Sequence, residues 1–173
     1  GLARHLSIPI DVKKSINIIN ECNIEKLDYG IINGLPFFCT CGMGFDAFVS
    51  MKFANSGKRG LISYIENTLR ETLTYKPDTY TLRFDDQQVQ QKAFVIACAN
   101  ASQYGNNAFI APAATMSDGL MDITVLEPFT AIEAPQLALQ LFNGSLSTNS
   151  RVKTFKARKV TITRMGNDPV HVD

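Results

Sequence analysis

Tryptophan is absent from the 173 residues, cysteine occurs four times, and neither sign of charge dominates. Seventeen Lys and Arg stand against 16 Asp and Glu, a formal net charge of +1. That balance removes the electrostatic footprint of a nucleic-acid binder. No apolar run reaches the ~18 residues of a membrane-spanning helix. No secretory leader pattern opens the chain. Membrane contact is therefore expected to be local and reversible. The cysteines are Cys22, Cys39, Cys41 and Cys98. Cys39 and Cys41 are one residue apart with no second pair, too close for the usual zinc spacing. In an extended segment both would face the same side. They read as reduced, mostly buried thiols, which fits a cytoplasmic setting.

Hydrophobic residues make up 45% and charged residues 19%, a globular composition long enough for a proper core. No linker, repeat or low-complexity stretch divides the chain, so it reads as one domain over residues 1–173. It opens on Gly1 rather than Met, the expectation for a piece of a longer protein.

Leu2 to Leu6 predicts a short helix stopped by Pro9. Asp11 predicts an N-cap for a second helix toward Glu21, with Val12, Ile16 and Ile19 at helical spacing. Residues 25–41 predict a hairpin turning at Asn33-Gly34. Gly42 and Gly44 then read as strand breakers. A helix is expected from Asp46 to Asn55, and a clearer one through Ile62, Ile65, Leu69 and Leu73, ended by Pro77. The period changes to two at Tyr80, Leu82 and Phe84, turns at Asp85-Asp86 and returns over Val89 to Ala99. The apolar end of that return predicts a central strand. Residues 100–121 read as loop, Asp122 to Leu126 as strand, and Glu133 to Phe142 as a helix ended by Asn143-Gly144. Arg151 to Met165 alternates as one strand, and Val170 to Asp173 begins another. The expected fold is α+β, a two-layer β-sandwich with flanking helices.

The segment from Asn100 to Asp122 carries the chemistry. Pro112 and Gly119 bracket an irregular backbone, and Asp118 offers a carboxylate among carbonyls, the ligand type of a hard cation. An Asp-Gly pair is also simply a turn. Ala99-Asn100, Gly105, Ala111-Pro112-Ala113-Ala114 and Asp118-Gly119-Leu120-Met121-Asp122 resemble, in order and spacing, the signature of the bacterial diacylglycerol kinase and lipid kinase family, relatives of the sphingosine and ceramide kinases. Three further stretches agree. Gly1 to Pro9 is similar to the helix after the family's Gly-x-Gly-Asn motif. Gly42-Met43-Gly44-Phe45-Asp46-Ala47 resembles its Gly-Phe-Asp-Ala helix start. Gly60 to Tyr64 resembles its Gly-x-x-Ser-Tyr helix.

The resemblance implies the C-terminal, substrate-binding domain of a lipid kinase. The Gly-Gly-Asp-Gly domain that holds ATP is absent, so the piece alone is expected to be inactive. Asp173 matches the first residue of the family's Asp-Gly-Glu motif, and the Glu that accepts the proton would follow it. Fewer glycines than usual lie between Tyr104 and Asn107, which leaves substrate contacts there open. The resemblance further implies a structural Mg²⁺ at Thr115, Asp118 and Leu120, with Asp118 giving its carboxylate and the others carbonyls. Asp46 and Asn100 are implied as substrate-binding, with ATP as co-substrate. Implied partners are a lipid and a transient membrane surface, with no nucleic acid; homodimerisation stays open. The implied location is cytoplasmic, peripheral to the membrane.

Phe45, Phe48, Val49, Met51 and Phe53, with the 61–73 helix, would line an acyl pocket or, more ordinarily, a core. Arg151, Lys153, Lys156, Arg158 and Lys159 would meet anionic headgroups or form a solvated strand face. His5 and His171 carry no assigned role. Competing readings are a non-catalytic lipid-binding or regulatory module, and a kinase of the same superfamily with a soluble acceptor.

Overall fold

A computed structural model describes residues 1–48, 75–84 and 87–173. The elements are α1 (Leu2–His5), α2 (Val12–Asn20), β1 (Gly30–Ile32), β2 (Leu35–Phe37), β3 (Thr40–Gly44), β4 (Asp78–Phe84), β5 (Gln87–Ala93), β6 (Val95–Ala99), β7 (Met121–Leu126), α3 (Ala134–Asn143), β8 (Val152–Ala157), β9 (Thr161–Thr163) and β10 (Val170–Val172). A 3₁₀ turn at Leu146–Thr148 follows α3. Five strands form one antiparallel sheet in the order β10-β3-β6-β7-β8, and three form another in the order β5-β4-β9.

The two sheets share a core, as the sandwich expectation requires. Tyr80, Leu82 and Phe84 from the small sheet pack against Cys41, Met43, Ile96, Cys98, Ile123 and Val125 from the large one. Their alternation comes directly from the period of two in the sequence. The other face of the large sheet is covered as well. Ala97, Ala99 and Leu126 pack there with Ile110, Ala111, Ala114 and with Leu137 of α3. A central strand buried on both faces explains why β6 is wholly apolar.

Several expectations change. Gly42 and Gly44 do not break a strand; they lie inside fully buried β3. At Gly42 a Cβ would stand 2.6 Å from Asp46 Oδ2 and 2.8 Å from the Ile96 carbonyl oxygen. Only glycine lets those groups approach. The return from Val89 to Ala99 is two strands, because the chain leaves the small sheet at Ala93 and enters the large one at Val95. Between them the Phe94 N–H donates to Leu126 O and the Phe94 carbonyl accepts from Phe45 N–H. Arg151 to Met165 divides in the same way into β8 and β9, one in each sheet.

The hairpin turn is as expected, with Asn33 and Gly34 at φ 48° and 86°. Its return strand stops at Phe37, and β3 joins a different sheet. Asp11 caps α2 by accepting from Lys14 N–H at 3.0 Å. The apolar positions Val12, Ile16 and Ile19 of that helix are exposed. Cys41 and Cys98 are buried opposite one another, Cys39 is half-buried and Cys22 exposed, all as free thiols. Cys39 precedes β3, at a bend against Gly1, so it does not share the face of Cys41. Residues 45–48 are helical; the rest of the Asp46 to Asn55 helix, the helix through Ile62 to Leu73 and the Asp85-Asp86 turn lie outside the described residues.

Candidate functional site

The bend at residues 38–40 is held from two sides. Asp173 follows β10 and turns its carboxylate onto that bend. It accepts the backbone N–H groups of Phe38, of Cys39 at 2.9 Å and of Thr40 at 2.8 Å. The Asp173 N–H in turn donates to Thr40 O at 3.1 Å. From the other side comes Asn100, at the end of β6 and 2% exposed. Its amide donates to the carbonyls of Phe38 and Asp28, each at 2.8 Å. The N–H groups of Asn100 and Ala101 both donate to Cys39 O, at 2.9 and 3.0 Å. Asp173 and Asn100 are thus brought together around one bend, although 73 positions separate their numbers.

Asp46 sits over Gly42 on the outer face of the large sheet. Its carboxylate accepts Ala47 N–H at 2.6 Å and Tyr104 O–H at 3.1 Å. Burial drives its pKa up to about 7, against these two bonds. The carboxyl is therefore poised near neutrality, a property common at functional sites. The sign for stability follows. Below about pH 4 the group is protonated both folded and unfolded. As pH rises toward 7 the unfolded chain ionises first, so folding loses stability. Asp46→Asn is expected to unfold no later than wild type at pH 4. Its advantage should grow up to pH 7 and then level off, reaching a few kcal/mol, on the order of 1.4 per pKa unit. Thermal melts of both proteins across pH check this.

Two connections escaped the sequence. Asp28 joins the Asn100 bend to the Asp118 loop. It gives its carbonyl to Asn100, accepts Gly119 N–H on Oδ2 at 2.7 Å and donates its N–H to Met116 O at 2.7 Å. His5 accepts Ser102 N–H on Nδ1 at 3.1 Å, which fixes α1 to the start of the same loop. An N–H cannot donate to a protonated nitrogen, so the His5 proton lies on Nε2; burial lowers its pKa accordingly. No local pattern announces either contact.

Of the suggested acyl-pocket residues, Phe45 stacks on Phe94 at 4.5 Å between ring centroids, and Phe48 meets Tyr75 at 5.5 Å. Val49, Met51 and Phe53 lie outside the described residues. The basic run is largely paired: Arg151 with Glu133 at 2.9 Å, Lys153 with Glu127 at 2.8 Å, and Lys156 with Asp118 at 3.0 Å.

Residues 39–173 match the family described as the YegS C-terminal NAD kinase beta sandwich-like domain. The chain belongs to this family. Among curated relatives, an uncharacterized protein of Synechocystis sp. is 28% identical over 148 residues, covering 83% of this chain and 34% of the relative. A probable lipid kinase YegS-like of Chromohalobacter salexigens is 26% identical over 141 residues, covering 80% of this chain and 45% of the relative. The chain thus spans between a third and a half of these relatives. A crystal structure of a putative diacylglycerol kinase from Bacillus anthracis str. Sterne has the same fold, with a TM-score of 0.73 at 19% identity. It covers 98% of this chain and 56% of that one.

The suggested metal residues can be set against the fold. Asp118 Oδ1 accepts Leu120 N–H at 3.0 Å, and Oδ2 accepts the Lys156 ammonium at 3.0 Å. Lys156 lowers the Asp118 pKa and also lies 3.3 Å from Asp122 Oδ2. Thr115 Oγ1 is paired with Ser117 Oγ at 3.0 Å. The positive charge that a divalent ion would bring is already supplied by a lysine. As folded, the Asp118 carboxylate is held by Lys156 and by Leu120 N–H, and no step is routed through an ion there.

Proposed function

We propose that this chain is the substrate-binding and catalytic half of an ATP-dependent lipid kinase that phosphorylates a lipid hydroxyl such as that of diacylglycerol. The observation that carries the reading is the joint grip of Asp173 and Asn100 on the 38–40 bend, with the titratable Asp46 carboxyl over Gly42, two residues further along β3. Family membership and relatives named as lipid kinases support it.

In this reading ATP, with its Mg²⁺, is presented by another part of the full-length protein. The acceptor oxygen attacks the γ-phosphorus, the bond to the β-phosphate oxygen breaks, and the hydroxyl proton passes to a carboxylate of the acidic motif that Asp173 begins. Asp173 spends its own oxygens on backbone N–H groups, so it positions that motif and is not itself the base. Asp46 binds the acceptor hydroxyl beside Tyr104, and Asn100 fixes the bend between them. The protein works in the cytoplasm with transient membrane contact. No helix among the described residues is long and apolar enough to cross a membrane.

The test is an acceptor panel with labelled ATP and the full-length protein: diacylglycerol, ceramide and NAD. Phosphorylated diacylglycerol or ceramide is expected. Labelled NAD product alone would favour a soluble acceptor. Lipid binding without any transfer would favour a regulatory module. This chain alone is expected to consume no ATP.

A further inference from the structure

His171 is paired with Gly42 across β10 and β3. Its neighbour Val172 packs into the core between the sheets, so His171 turns to the opposite face. Gly42 also faces that way, because its sequence neighbours Cys41 and Met43 fill the same inter-sheet core. The Asp46 carboxyl occupies the space above Gly42. Directly opposed strand residues stand about 4.5–5.5 Å apart. The imidazole therefore shares the face that carries the Asp46 carboxyl and lies two residues from Asp173. Yet His171 Nδ1 is buried with no hydrogen-bond partner. A buried polar atom left unpaired is costly and rare in native proteins. Burial also lowers the His171 pKa, with the Asp173 charge acting against it. A neutral ring carries one donor and one acceptor nitrogen.

We propose that His171 is a specificity-determining residue for the acceptor, its Nδ1 bonding a hydroxyl on the polar head held beside Asp46. This rests on the kinase reading above. A hydroxyl both donates and accepts, so it satisfies a neutral imidazole in either tautomer. The nearby Asp173 charge and the Asp46 carboxyl favour a neutral hydroxylated head over one bearing phosphate or carboxylate.

The test uses the full-length protein, dioctanoylglycerol in mixed micelles and labelled ATP. His171→Phe keeps the ring and removes both nitrogens. His171→Asn places an amide atom near the position of Nδ1. Phe is expected to raise the KM for dioctanoylglycerol by ~10-fold or more, the value of one hydrogen bond, with the KM for ATP unchanged within about twofold. Asn is expected to restore most of that loss. Thermal midpoints of both variants show whether they fold. An unchanged lipid KM in a folded Phe variant overturns the proposal while leaving the kinase reading intact. So does an equal rise for ATP, or an Asn variant that folds and restores nothing. Wild type that phosphorylates no lipid overturns both.

Discussion

Replacing Asn100 by alanine is expected to cost about 2–4 kcal/mol of folding stability, read as a fall in the urea midpoint at constant slope. The side chain is almost wholly buried, and its amide serves two carbonyls from distant segments, Asp28 and Phe38. Truncation leaves both carbonyls without their donor in a place water reaches poorly, and leaves a small cavity besides. Asn100→Asp is the sharper control. It keeps the volume and replaces the donor by an acceptor, so oxygen faces oxygen at two contacts. It should be at least as damaging as alanine. A neutral result in both variants would mean that Asp173 and the backbone bonds to Cys39 hold the bend without the Asn100 side chain.

Asp173→Ala is expected to act on rate more than on stability. The residue is exposed, so its bonds to the N–H groups of Phe38, Cys39 and Thr40 compete with water. Their loss should cost no more than about 1–2 kcal/mol. Hydrogen exchange at those amides should quicken locally. In the full-length protein, displacing the acidic motif by even ~1 Å is expected to lower kcat about 100-fold, with the ATP KM little changed. Asp173→Asn, which keeps an acceptor oxygen, should fall between alanine and wild type. A loss confined to stability would make Asp173 a structural clasp only.

Much of the sandwich was legible because burial on one face writes a period of two into Tyr80, Leu82 and Phe84. The wholly apolar β6 announced a strand covered on both faces. Two misreadings have separate causes. Gly42 and Gly44 look like breakers because glycine marks both turns and close approach, and only the position of Asp46 tells them apart. The sheet changes between Ala93 and Val95, and between β8 and β9, leave no local mark, since alternation continues through them. In the candidate site, the motif order singled out Asn100, Asp46 and Asp173. Asp28, His5 and His171 were invisible, because each acquires its meaning from a partner more than 70 residues away. Lys156 was read only as one charge in a basic run, whereas β7 and β8 set it opposite Asp122 and within reach of Asp118.

The most direct measurement is photocrosslinking of the full-length protein with a diacylglycerol that carries its reactive group close to the free hydroxyl, mapped by mass spectrometry. An acceptor seated beside Asp46 requires adducts in residues 40–46, 100–104 and 171–173, competed away by unlabelled diacylglycerol. Adducts confined to α3 and β8, or to parts of the protein outside this chain, would contradict it.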